Sequence, residues 1–262
     1  MAEALSRFLT GRDSLYRSRG LSVPFSDSAN FNALAVLSEI GIDASSHKSR
    51  PLTTEDLDWC DEIAVMEESH KEFLVRVGVK KPITVLGISD PYGKDLSAYR
   101  ECFEEIKNSI IPLIFGVTPE KMSNRHIKKA AEIEKECFSA PWTEEGFEEF
   151  LENNSSVGIC LSKNAELIAY INGTNVDGYS EIYNVAVDKK NRGNGLGYLL
   201  LKLFEAEVYS EDTTVSLEVR KSNTPAIKLY EKAGFKKAGE RKNFYRSPTE
   251  DAYVYIKRLE VD

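Results

Sequence analysis

Histidine and cysteine are scarce: the chain has three of one and four of the other. His47, His70 and His126 lack the spacing of metal ligands. Cys60, Cys102, Cys137 and Cys160 form no C-x-x-C pair, which excludes a zinc cage or a disulfide framework and leaves small buried packing as their role. No metal is expected. Long hydrophobic runs are missing too. None approaches the ~20 residues that a membrane-spanning helix needs, and the first residues, MAEALSRFLTGRDS, carry no signal-peptide apolar core. A cytoplasmic protein away from the membrane is expected. Positive charge is in deficit, with 34 Lys and Arg against 42 Asp and Glu, a net charge of −8. Nucleic acid is therefore excluded as the main partner, because phosphate neutralisation needs clustered cations. The same balance would suit a basic peptide.

What is present is enough chain for two domains, each with its own core, at 262 residues. In the first part, helical patterns over residues 1–9 and 30–40, the second closed by Gly41, alternate with short apolar runs at 62–66 and 83–86. Runs of that length read as buried parallel strands, which makes this an α/β arrangement. Residues 110–117 read as an apolar strand ahead of a turn at Pro119, with no Gly/Ser linker, so the boundary is placed between residues 113 and 114. Helices over 124–138 and 144–151 follow, then two strands over 156–161 and 166–174 joined by a turn at Lys163 and Asn164. The end of the chain, 236–259, reads as a hairpin around residues 246–251.

The most informative stretch is EIYNVAVDKKNRGNGLGYLL, residues 181–200. A β-rich run carrying Ile182, Val185 and Val187 gives way to Arg192-Gly-Asn-Gly-Leu-Gly and then to helical apolar spacing from Tyr198. A strand, glycine turn and helix in that order leave unpaired amides at a helix N-terminus, where the dipole is positive and the main chain is bare. A diphosphate fits there. No Gly-Lys-Ser/Thr follows, which argues against a nucleotide P-loop. Downstream, Val215, Leu217 and Val219 point to one face of a strand and Ser216, Glu218 and Arg220 to the other. Asn223 is placed to cap the next helix, with Pro225 in its first turn and Gly234 after its end.

These pieces carry two resemblances. The hexad beginning at Arg192 resembles the acetyl-CoA pyrophosphate loop of the GNAT superfamily. With Cys137-Phe-Ser-Ala-Pro-Trp-Thr143, Tyr183-Asn-Val-Ala-Val187, Leu217-Glu-Val-Arg-Lys-Ser-Asn223, Ala226-Ile-Lys-Leu-Tyr230, Gly234-Phe235 and Arg241-Lys-Asn-Phe-Tyr245, residues 114–262 resemble the RimI-type ribosomal-protein-alanine N-acetyltransferases. That likeness implies an α+β domain with a mixed, mainly antiparallel sheet, using acetyl-CoA as cosubstrate. It implies that Val185, Ala186 and Val187 meet the acetyl and pantetheine arm. Arg192, Gly193, Asn194, Gly195, Leu196, Gly197 and Tyr198 would hold the pyrophosphate, and Asn223 would reach the cofactor. Glu218 would be the general base and Tyr230 the general acid. The acceptor implied is the N-terminal amine of a ribosomal protein or another peptide. Tyr245 either lines the peptide cleft or fills the final hairpin; Trp142 reads as packing.

Residues 1–113 resemble the low-molecular-weight protein tyrosine phosphatases and related arsenate reductases. The matching pieces are Ser18-Arg-Gly20, Gly41-Ile-Asp43, residues 45–50, residues 52–57, Met66-Glu-Glu-Ser-His70 and Asp90-Pro-Tyr92. The family's phosphate loop, C-x-x-x-x-x-R-S, is absent: Met66, Asn108, Thr143 and Glu166 stand six positions after the cysteines. The expectation is a truncated flavodoxin-like domain, lacking its first strand and nucleophile, with Asp90 a loop acid before proline. Two alternatives accompany the acetyltransferase reading. The chain could be a bifunctional acetyltransferase and phosphatase whose phosphatase start is missing here, or residues 1–113 could serve as a non-catalytic binding module.

Overall fold

The computed structural model describes residues 1–260. They form two compact units, one made of Met1–Phe8 with Arg12–Ile110, the other of Leu9–Gly11 with the residues from Ile111 on. The first unit carries α1 (Ala2–Thr10), α2 (Phe31–Ser38), α3 (Thr54–Trp59), β1 (Ile63–Val65), α4 (Glu68–Arg76) and β2 (Ile83–Val85), then enters α5 (Leu96–Phe115). Side chains set the helix starts. Asn30 caps α2 by accepting from the Asn32 amide at 2.8 Å, and Thr53 caps α3 by accepting from the Asp56 amide at 3.2 Å. The Asp56 carboxylate receives Arg19 at 2.7 Å and Arg17 at 3.2 Å, and these cations help hold it well below the ordinary carboxylate range. The sheet of this unit is two parallel strands, in register from Ile63 opposite Ile83 to Val65 opposite Val85, with α4 packed on both.

The strand expected over 110–117 is not formed. Residues 110–115 continue α5, because the buried positions Tyr99, Cys102, Phe103, Ile106 and Ile110 keep one helical phase that outweighs the local run of β-branched residues. Pro112 lies within the helix, which Gly116 then closes at a φ of 66°. Pro119 is not in a turn either. It belongs to β3 (Thr118–Lys121), the edge strand of the second unit, where a missing N–H is best tolerated.

The second unit continues with α6 (Asn124–Cys137), α7 (Glu144–Glu152), β4 (Ser156–Lys163), β5 (Glu166–Val176), β6 (Tyr179–Val187), α8 (Leu196–Val208), β7 (Thr214–Arg220), α9 (Thr224–Lys232), β8 (Lys236–Arg246) and β9 (Thr249–Arg258). Its seven strands form one mixed sheet in the order β3-β4-β5-β6-β7-β9-β8, antiparallel except between β6 and β7. α8 covers β4, β5 and β6; α6 lies on β5 and β6, and α7 on β4. Ile127, Ala130, Phe147, Cys160, Tyr170 and Ala186 share one buried cluster. Covering both faces explains why β5 is buried over most of its length instead of alternating. Among the described residues no helix is long and apolar enough to cross a membrane.

Candidate active site

β6 and β7 are parallel neighbours only where Tyr179, Ser180, Glu181 and Ile182 face Thr214, Val215, Ser216 and Leu217. Beyond that point β6 stays on β5 and β7 stays on β9, so the strands part and open a cleft in the sheet. The register of β5 and β6 shifts between Asn172 and Gly173, leaving Tyr183 as the extra residue of a bulge at the fork. The Asp188 amide donates to Ile168 O at 2.8 Å. Backbone groups alternate in direction along an antiparallel ladder, so Ala186 also turns toward β5 while Val185 and Val187 turn toward the opening. The Val187 carbonyl is taken: Arg192 Nε donates to it at 3.0 Å.

The glycine turn lies just beyond the end of β6. Gly193 and Gly195 hold φ of 82° and 79°, a left-handed backbone that side chains disfavour, and a Cβ at Gly193 would meet nothing within 4 Å. Gly195 begins α8 with no side-chain cap, and the first helical bond runs from the Leu199 amide to Gly195 O at 3.0 Å. The amides of Gly193, Asn194, Gly195, Leu196 and Gly197 therefore have no partner among the described residues. Gly197 serves packing as well, since a Cβ there would come within 2.9 Å of Leu229 Cδ2 on α9. Leu196 and Tyr198 are buried, Tyr198 with its ring 4.7 Å from the Lys232 ammonium. Arg192 is exposed, with Nη2 3.1 Å from Cys137 Sγ. Asn223 caps α9 through Oδ1, accepting from the Ala226 amide at 3.3 Å.

Glu218 stands on β7 just past the fork, its side chain 13% exposed and 3.1 Å from Arg241 Nη1 on β8. Burial lifts its carboxyl above the ordinary range, Arg241 offsets part of the lift, and Glu181 adds to it. A carboxylate with a raised pKa is a better proton acceptor near neutral pH. Tyr230 projects from α9 and is buried, packed edge-on against Phe235 at 6.1 Å. Its hydroxyl has no partner among the described residues, and burial pushes the phenol well above its usual value, with Tyr245 adding to the push. A neutral phenol is thus available as a proton donor.

Of three neighbours, Tyr245 and Trp142 were named from the sequence and Glu134 was not. Tyr245 is pushed up to about 12, by burial first, with Arg220 opposing and Glu218 and Glu250 reinforcing, so it sits within electrostatic reach of Glu218. Trp142 packs on Phe147 and Phe150 and also meets Tyr183 at 5.9 Å. Glu134, fully buried in α6, accepts from the Tyr170 hydroxyl and, at 3.0 Å, from the Trp142 amide. Its place at the spacing of Ile127, Ala130 and Ala131 was the available signal: a carboxylate on an apolar helix stripe needs partners.

The geometry agrees with similarity to known proteins. Residues 127–235 match the profile of the Acetyltransferase (GNAT) family, and residues 1–129 that of the low molecular weight phosphotyrosine protein phosphatases. A Bacillus subtilis (strain 168) protein whose name points to ribosomal protein bS18-alanine N-acetylation is 37% identical over 125 residues, 47% of this chain and 83% of that protein. The ribosomal protein bS18-alanine N-acetyltransferase of Escherichia coli (strain K12) is 32% identical over 135 residues, 51% of this chain and 89% of its own length. The chain belongs to the RimI-type N-acetyltransferases of the GNAT family. The crystal structure of the ribosomal-protein-S18-alanine N-acetyltransferase from Escherichia coli superposes with a TM-score of 0.52 at 29% identity, covering 56% of this chain and 96% of that one. RimI-type enzymes are N-α-acetyltransferases, and this chain is one of them. The phosphatase likeness rests on the sequence match over residues 1–129, within which no cysteine is followed six positions later by arginine.

Proposed function

We propose that this cytoplasmic protein transfers the acetyl group of acetyl-CoA to the N-terminal amine of a protein, with the N-terminal alanine of ribosomal protein bS18 as acceptor and residues 114–262 as the catalytic domain. One observation supports this reading: Glu218 on β7 and the outward backbone of Val185 and Val187 on β6 lie just past the fork where the two strands part, and the turn with unpaired amides that starts α8 follows the end of β6. The fit to acetyl-CoA is physical. Gly193 and Gly195 give a bare turn whose amides lack acceptors, as a diphosphate requires. When bound, acetyl-CoA supplies a thioester acyl group and a thiolate leaving group. Glu218 takes the proton from the acceptor ammonium, because only the free amine has a lone pair for the carbonyl carbon. The Val185 and Val187 amides stabilise charge on the carbonyl oxygen. Tyr230 would give its hydroxyl proton to the departing sulfur as the C–S bond breaks, the second proton of the attacking nitrogen would return to Tyr230 through solvent, and the proton held by Glu218 would leave to solvent. None of these steps draws on a metal.

Basicity favours an α-amine over a lysine side chain. The ordinary pKa values of the two amines differ by about 2.5, so deprotonating the chain terminus costs about 3.4 kcal/mol less near neutral pH. The test is mass spectrometry of an alanine-terminated peptide incubated with acetyl-CoA. Glu218→Gln and Tyr230→Phe are each expected to lower kcat by about 10²- to 10⁴-fold, with acetyl-CoA binding retained. Wild-type rates in both variants would overturn the assignment.

A further inference from the structure

Arg220 follows Glu218 by two residues on β7, so the two side chains leave the same face of the sheet. Both terminal nitrogens of its guanidinium are engaged. Nη1 donates to Pro248 O and to Glu250 Oε2, each at 3.0 Å, while Nη2 donates to Ser247 O at 3.0 Å and to Ser139 Oγ at 2.8 Å. The guanidinium carbon lies 4.2 Å from the centre of the Tyr245 ring. These partners come from two separate segments. Ser139 lies in the loop between α6 and α7, the loop that holds Trp142 against Tyr183 of β6. Ser247, Pro248 and Glu250 form the tip of the β8–β9 hairpin, whose strand β8 brings Arg241 to Glu218. One segment thus packs on β6 and the other extends from β8 and β9, and one side chain of β7 joins them.

We propose that Arg220 is a positioning residue that sets the width of the acceptor slot by holding the α6–α7 loop to the tip of the β8–β9 hairpin. The inference rests on Glu218 being the base that the acceptor amine approaches. Arg220 needs no contact with a reacting atom, because both of its terminal nitrogens already donate to the two segments. A guanidinium suits this role because its planar fork reaches two directions at once and stacks on an aromatic ring, whereas an ammonium does neither well. Acetyl-CoA would be gripped elsewhere, by the amides at the start of α8 and by the backbone of β6. Releasing the clasp should therefore loosen the hold on the peptide and leave the cosubstrate alone.

The experiment uses the full chain, acetyl-CoA and a synthetic peptide with an N-terminal alanine. Arg220→Gln should raise the peptide KM about tenfold or more while the acetyl-CoA KM stays within about twofold, since a misplaced acceptor loses orientation rather than cosubstrate binding. Arg220→Lys should restore only part of the loss. Ser139→Ala removes a single strut and should raise the peptide KM about threefold on its own but add nothing in the Arg220→Gln background, as expected when two groups act through one contact. Hydrogen exchange should quicken in Arg220→Gln over residues 138–143 and 244–250 and stay unchanged in α8. An unchanged peptide KM, an equal rise in both KM values, or unchanged exchange in the two segments would each overturn the clasp. If the wild type fails to acetylate the peptide, the functional reading falls, and the exchange measurement still decides whether Arg220 joins the segments.

Discussion

Glu218 faces opposite influences from two charged neighbours, and removing each should move the pH dependence of catalysis in opposite directions. Arg241 Nη1 is 3.1 Å from the Glu218 carboxylate, on a side chain that is 57% exposed. Glu181, across the fork on β6, pairs with Ser216 in the register that leads to Glu218. The base must be ionised to act, so the acid limb of the kcat/KM profile reports the carboxyl's pKa in the free enzyme. A pair this exposed contributes about 0.2 to 1 kcal/mol, and 1.36 kcal/mol corresponds to one pKa unit, so Arg241→Gln should move the limb up by about 0.2 to 0.7 unit. Glu181→Gln removes a like charge and should move it down. Raising the ionic strength should shrink both displacements, because exposed charges are screened. Initial rates of coenzyme A release at subsaturating peptide, followed from acid to neutral pH, measure the limb directly. A limb that moves the same way in both variants, or in neither, would show that its titrating group is not Glu218.

Other consequences are equally concrete. The folded Glu218 carboxyl lies above its ordinary range, so it favours the fold below its unfolded pKa and withdraws that support as pH rises through the folded one. Glu218→Gln should therefore raise Tm at neutral pH while removing transfer, with the gain fading toward about pH 4; a lower Tm at neutral pH would contradict this. Glu134→Ala deprives the Tyr170 hydroxyl and the Trp142 amide of their acceptor, at about 1 to 3 kcal/mol each, and denaturant unfolding should show a loss of about 2 to 6 kcal/mol. Gly193→Ala forces a side chain into a φ of 82° with open space around it, so it should cost about 1 kcal/mol of stability through the backbone alone and weaken acetyl-CoA binding as the turn relaxes. Turnover of p-nitrophenyl phosphate by this chain should stay at background, because it has no cysteine followed six positions later by arginine.

Much of the second unit was legible in the chain because its signals are local. The alternation of Val215, Leu217 and Val219 gave β7, the glycines after Arg192 gave the turn before α8, and Asn223 with Pro225 gave the start of α9. The run Ile110-Ile111-Pro112-Leu113-Ile114 misled, since apolar periodicity over so few residues cannot separate a buried strand from the end of a long helix. The fork beside Glu218 was not legible: where β6 leaves β7 depends on pairings between residues far apart in sequence. Arg220 was hidden for the same reason. It was placed only on the face of the strand that it shares with Ser216 and Glu218, and its partners at Ser139 and at residues 247–250 come together only in the fold.

Glu218, at the mouth of the β6–β7 fork, is assigned to deprotonate a chain-terminal amine for acetyl transfer. Intact-mass analysis decides this on an alanine-terminated peptide incubated with acetyl-CoA and either the wild-type protein or Glu218→Gln, alongside the same peptide with its N-terminus blocked and an internal lysine free. The expected result is one acetyl group on the free terminus with wild type, little with Glu218→Gln, and none on the blocked peptide. Acetylation of the lysine in the blocked peptide, or full transfer by Glu218→Gln, would contradict it.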